Sequence, residues 1–323
     1  MFIKNRSLEP KTTVALISTV ALSLVLSACS STDEAAGPTT SASASTEVMT
    51  VHAAFYPLEF LATQIGGDKV LVKSLTAVGA EPHDTELTPA QVAELETTSL
   101  ALFIDGFMPA VDQAIESMIP DRALNLAGAV TLLEAGEGHE DHGGSTDESH
   151  GAYDPHIWLD PANMIAMASA VSDRLISLDP ANADFYAANA ASLKVELETL
   201  DQAFTTGLAS CQQKEIVTSH DAFGYLANAY GLTQHGIAGL SPDSEPSPAR
   251  LAEISDMVKA EGITTIYYET LVSPAIAQTV ANETGATTAV LDPIEGLTAG
   301  STDTFITVMQ ANLQALIKGQ ICS

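Results

Sequence analysis

"DPANADFYAANAASLKVELETLDQAFTTGL", residues 179–208, carries one apolar stripe. Leu193, Leu197, Leu200, Phe204 and Leu208 recur at spacings of 4, 3, 4 and 4, the period of an amphipathic helix. Asp179 and Pro180 stand as cap and first helical residue. A helix of ~28 residues, rising about 1.5 Å per residue, reaches roughly 40 Å. That is long for a local connector and suits a strut between two lobes.

On both sides of this stretch strands and helices alternate. Before it come a strand at "VMTVHAAF", a helix at "PLEFLATQIGG" ended by Gly66-Gly67, and a strand at "KVLVKSL". The loop "AVGAEPHDTEL" leads to Thr88-Pro89-Ala90-Gln91, a capping box with proline in the first helical position. A buried-type strand "LALFIDG", a helix near 109–119 and a short strand near "NLAGAVTLL" follow. After Cys211 come strand "EIVTS", helix "AFGYLANAYG" and a short strand near 232–238. A helix from Pro248, strand "ITTIYYE", a helix from Pro274, strand "TTAVLD" and a last helix complete the chain. The pattern predicts an α/β fold: two lobes, each with a mainly parallel sheet flanked by helices, joined by one long rigid helix. No tandem repeat is visible.

Residues 1–28 read as an export signal: Lys4, Arg6 and Lys11, then the apolar "TTVALISTVALSLVLS". "LSAC" resembles the lipobox of bacterial lipoproteins and would make Cys29 the lipidated first residue, anchoring an extracytoplasmic protein to the cell membrane. Residues 29–47 are rich in Ser, Thr and Ala and read as a flexible tether. The remaining boundaries are 48–178 for the first lobe, 179–210 for the linking helix and 211–323 for the second lobe. Within the first lobe, 134–152 forms an acidic insertion holding His139, His142 and His150.

Twelve Lys and Arg stand against 41 Asp and Glu, a formal charge of −29. Loss of residues 1–28 removes three bases and one acid and leaves −31. Such a surface excludes nucleic acid, whose phosphates need basic groups, and tolerates cations. Cys211 and Cys322 are the remaining cysteines after Cys29, and an exported pair is expected to form a disulfide.

The chemistry lies in the loops. "YDPHIWLDP", residues 153–161, brackets His156 and the only tryptophan, Trp158, between two Asp-Pro pairs. Asp160-Pro161 starts a helix. Pro155 stiffens the approach to His156. His83 follows one strand, His220 ends "EIVTSH", and Asp292 ends "TTAVLD". Ligands of open α/β sheets sit beyond the carboxyl ends of strands, so these four residues fall where a site belongs, two from each lobe. Three imidazoles and a carboxylate suit four-coordinate Zn²⁺. Singly, each has a plain reading: a solvated loop histidine, a helix-start residue, a turn-forming aspartate. Trp158 reads as a core anchor.

"EPHDTELTPAQVAEL", "DPHIWLDPANM", "SHDAFGYLANAYGL" and "LDPIEGL" resemble, in order, the motifs of the zinc-uptake (ZnuA/TroA-type) metal-binding solute-binding lipoproteins of ABC importers. The resemblance spans nearly all of 48–320. It implies two α/β lobes on a long helix with the metal between them. His83, His156 and His220 would be the imidazole ligands and Asp292 the carboxylate, with Glu269 the competing acid or an acceptor orienting a histidine. Glu81 has a similar orienting claim. An imidazole at 220 selects zinc over manganese, since carriers of the harder cation place a carboxylate there. The histidines at 139, 142 and 150 would form an auxiliary zinc-collecting loop. The implied partners are a membrane permease and its ATPase, the implied state is a monomer, and no catalysis is implied.

Three other readings remain: a manganese carrier of the same family, an exported zinc hydrolase, and a metal-stabilised adhesin. A hydrolase would keep an open coordination position and a nearby base, and no H-E-x-x-H motif is present.

Overall fold

In the first half of the chain, the uniformly apolar segment Leu100–Phe103 becomes a strand buried on both sides, as the centre of a parallel sheet requires. The strand Val70–Ser74 lies at an edge and leaves Leu71 exposed. The structure, a computed structural model, describes residues 48–135 and 153–323. The predicted leader, Cys29, the tether and the three histidines of the insertion lie outside the described residues.

The first lobe runs β1 (Met49–Ala53), α1 (Tyr56–Gly66), β2 (Val70–Ser74), α2 (Pro89–Leu95), β3 (Leu100–Phe103), α3 (Pro109–Met118) and β4 (Ala123–Asn125). All its strands are parallel, in the order β2-β1-β3-β4. Gly67 closes α1 at φ 51°, and a Cβ there would also press within 2.8 Å of the Phe185 ring; glycine alone meets both demands without strain. Thr88 and Gln91 form the expected capping box. The strand expected around "NLAGAVTLL" is shorter and earlier. Asn125 ends it by accepting from Ala127 N, which turns Leu126–Ala129 into one 3-10 turn.

Two helices follow, α4 (Pro161–Leu178) and α5 (Ala183–Leu208). Asp160 caps α4 by accepting from Ala162 N at 2.8 Å. Asp179 does not cap its successor in the same way. Its carboxylate accepts from Asn182 Nδ2 at 2.6 Å and Tyr186 OH at 2.8 Å, so Pro180–Asn182 forms a 3-10 turn and the α-helix starts at Ala183. The 26 residues of α5 still reach about 39 Å.

The second lobe runs β5 (Glu215–Thr218), α6 (Gly224–Tyr230), β6 (Thr233–Gly236), α7 (Pro248–Ala260), β7 (Thr265–Tyr268), α8 (Ala275–Thr284), β8 (Thr287–Val290) and α9 (Phe305–Gly319). Its sheet is again parallel, ordered β6-β5-β7-β8. Both lobes thus share one strand order, although their sequences show no repeat. In each, the order reverses between the first and third strands, the switch point where α/β sheets open a ligand crevice.

The stripe of α5 is buried along its whole length. The helix packs on α1 and α4 of the first lobe and on α9 of the second, so one core cluster runs from Val51 through Leu197 to Leu316. A smaller cluster, including Val217, Ile254 and Ile266, lies on the other face of the second sheet. Cys211 and Cys322 form the expected disulfide, across 111 residues. Among the described residues no helix is long and apolar enough to cross a membrane.

Candidate metal centre

His83 sits in the loop after β2, its backbone N–H donating to both oxygens of Glu81 at 3.2 and 3.0 Å. Glu81 therefore shapes the backbone of this loop. Burial, and then the charge of Glu295, push its carboxyl up to about 8.

His156 arrives on the stiff Asp154-Pro155 approach. Asp154 Oδ1 accepts from His156 N at 2.9 Å and faces Nδ1 at 2.8 Å. That contact places the proton on Nδ1 and leaves the Nε2 lone pair to point inward. His220, two residues beyond β5, has its Nδ1 at 2.9 Å from Glu269 Oε1, which fixes the same tautomer. Glu269 is thus the orienting acceptor and is turned away from the centre.

Asp292 is not among the converging donors, contrary to expectation; Glu295 stands there instead. Both Asp292 oxygens are engaged locally. Oδ1 accepts from Ile294 N at 2.7 Å and Oδ2 from Thr270 Oγ1 at 2.6 Å. Asn312 of α9 clamps the same residue, accepting from Asp292 N at 2.9 Å and donating to its carbonyl at 2.7 Å. Ile294, fully buried, then takes φ 59°, a left-handed conformation that costs a β-branched residue about 1–2 kcal/mol. The turn carries the next side chain, Glu295, into the cleft. The only sequence signal for it was a second acid inside "DPIEG".

His83, His156, His220 and Glu295 are all buried. Their donor atoms lie within 4.8 Å of one another. Glu295 Oε1 stands 3.4 Å from His83 Nε2, 3.5 Å from His156 Nε2 and 3.2 Å from His220 Nε2. A tetrahedron with metal–donor bonds of about 2.0–2.1 Å has edges of about 3.3–3.4 Å. The three separations match that edge. The Nε2 atoms of His156 and His220 are buried without a hydrogen-bond partner, an arrangement that costs stability unless something occupies the space between them.

Electrostatics agree with the geometry. Burial alone would raise Glu295, but the His220 charge and the close approach of all three imidazoles hold it well below the usual carboxylate range. Burial would lower His220, yet Glu269 and Glu295 hold it well above its ordinary value. His156 is raised in spite of burial, by Asp154 and Glu295. Burial dominates at His83, which is lowered.

Trp158 is fully buried, as a core anchor should be, with ring centroids 4.8 Å from Phe55 and 4.9 Å from Phe107. Its indole N–H also reaches the other lobe and donates to Pro293 O at 2.7 Å.

Two parallel α/β lobes, fastened along one helix with buried donors converging between them, are the architecture of a solute-binding protein that closes on a small ligand. The chain matches the family described as "Zinc-uptake complex component A periplasmic" (ZnuA) over residues 51–319, and it belongs to that family. It is 35% identical over 314 residues to the zinc-binding lipoprotein AdcA of Streptococcus pneumoniae (strain R6), covering 95% of this chain and 60% of that protein. It is also 35% identical over 269 residues to the high-affinity zinc uptake system protein ZnuA of Bacillus subtilis, covering 81% and 84%. The Zn(II)-bound ZnuA-like domain of Streptococcus pneumoniae AdcA superposes with a TM-score of 0.72 at 34% identity, covering 85% of this chain and 99% of that one. The chain spans 60% of the AdcA length it matches.

Proposed function

We propose that this protein is an extracytoplasmic solute-binding lipoprotein of an ABC importer. It captures Zn²⁺ between its lobes and delivers it to a membrane permease driven by an ATPase. His83, His156, His220 and Glu295 hold the ion, Asp154 and Glu269 orient two of the imidazoles, and no covalent chemistry takes place. The observation that carries the reading is the set of three N···O separations of 3.2–3.5 Å, the edge of a tetrahedral zinc shell. The solved zinc-bound relative supports it.

Three nitrogens and one oxygen favour a borderline cation over manganese, which takes more oxygen donors. Four protein donors also leave no open position for an attacking water. The single anchor expected at Cys29 would keep the receptor beside its permease.

Competition calorimetry on metal-stripped protein, Zn²⁺ against Mn²⁺, tests the assignment, with a His220→Ala variant alongside. One tight zinc site, weak manganese binding and a large loss in the variant are expected. Preference for manganese, or indifference to His220→Ala, would refute it.

A further inference from the structure

Two side chains, Trp158 and Tyr225, reach across the cleft, and each hydrogen-bonds the segment that presents a ligand of the opposite lobe. From the first lobe, Trp158 Nε1 donates to Pro293 O at 2.7 Å, two residues before Glu295. From the second lobe, the hydroxyl of Tyr225 on α6 donates to Asp154 O at 2.9 Å and accepts from Leu133 N at 2.9 Å. Asp154 is the residue that aims His156. The lobes approach so closely here that a Cβ at Gly224 would stand 2.5 Å from Asp154 Oδ2.

We infer that Trp158 and Tyr225 are reciprocal clasps and set the rate of metal release, each holding in place the ligand loop of the other lobe. This rests on the zinc-capture reading above. Neither side chain has a donor among the four converging atoms, so both are positioning residues. The Glu295 arm needs such a hold. Its turn passes through Ile294 at φ 59°, a conformation that persists only where surrounding contacts over-determine it. Asp292 and Asn312 supply the contacts from within the second lobe; Trp158 supplies the one from across the cleft. When that bond breaks, the loop can relax and withdraw Glu295 from the imidazoles. When the Tyr225 bonds break, Asp154 and with it His156 lose their alignment. Because α5 resists wide hinge opening, loosening of these two loops is the exit route the fold provides.

The test is the rate at which zinc-loaded full-length protein yields its metal to excess chromophoric chelator. Tyr225→Phe removes one hydroxyl and two bonds, and it should speed release about tenfold; Trp158→Phe should speed it about fivefold. The double variant should approach the product, about fiftyfold, because the bonds lie on separate loops. Association should change less than about twofold, since the clasps form only as the cleft closes. The visible spectrum of the Co²⁺-loaded variants should match that of the unaltered protein, because the four donors are intact. A purely structural role would lower the metal-free melting temperature and leave release unchanged, and that result overturns the inference.

Trp158→Phe also opens space in the core, so a measurement on the unaltered protein stands beside it. The single indole N–H resonance should exchange at least about tenfold more slowly after zinc loading; an unchanged rate overturns the clasp. Failure of the unaltered protein to bind zinc would instead overturn the capture reading.

Discussion

Replacing Glu295 by Gln preserves the shape of the side chain and removes its charge, at the point where three imidazoles meet. Its Oε1 stands 3.2 Å from His220 Nε2. In the zinc-bound shell the imidazoles are neutral, so the charge this carboxylate faces is that of the metal. Removing one member of a buried, hydrogen-bonded charge pair costs about 3–5 kcal/mol net. The shell in Glu295→Gln would hold Zn²⁺ through three neutral imidazoles and an amide oxygen, and the zinc Kd should rise about 10²–10⁴-fold. Asp292→Asn is the paired control. The amide keeps an oxygen to accept from Ile294 N, and the Thr270 contact is exposed, so its Kd should move less than about tenfold. Competition against a fluorescent chelator, run at one pH and buffer for all three proteins, reads both numbers. If Glu295→Gln binds within tenfold of the unaltered protein, or if Asp292→Asn suffers the larger loss, the assignment of the carboxylate is wrong.

Stability should depend on pH in opposite ways with and without metal. Glu295 is depressed in the folded state, so its contribution is present above the ordinary value of 4.5 and is lost as pH falls through the folded value. His220 is raised, so its contribution is complete below 6.5 and is lost as pH rises through the folded value. The metal-free protein should therefore melt highest between about pH 4.5 and 6.5, and zinc, which needs neutral imidazoles, should move the optimum upward. Melting curves from pH 4 to pH 9 check this, and a metal-free optimum above pH 8 would contradict it. The disulfide closes a loop of 111 residues, for which chain entropy alone gives about 4–5 kcal/mol and measured cases about 2–4. Cys211→Ser with Cys322→Ser should lower the denaturant midpoint accordingly; an unchanged midpoint would mean that the bond is strained or that the unfolded chain is already compact.

Much of this protein is written locally. The stripe from Leu193 to Leu208, the caps at Thr88 and Asp160, and the apolar strands between them follow from hydrophobic period and backbone chemistry within a few residues. They suffice for two parallel α/β lobes on one helix. The three histidines that converge on one point were legible as candidates as well, because each sits in a motif of its own or at a strand end. The start of α5 was misplaced by three residues because Asp179 bonds to Asn182 and Tyr186 rather than capping the helix.

The carboxylate was not legible. Asp292 and Glu295 lie three positions apart in one loop, with the same charge and similar reach. Which of them faces the converging imidazoles depends on Thr270 and Asn312 holding the first, on Trp158 holding the chain between them, and on Ile294 accepting a positive φ. Those partners come from other elements and from the opposite lobe. A sequence specifies which donors are available along a loop; the direction each one points is decided by contacts that exist only once distant segments have packed together.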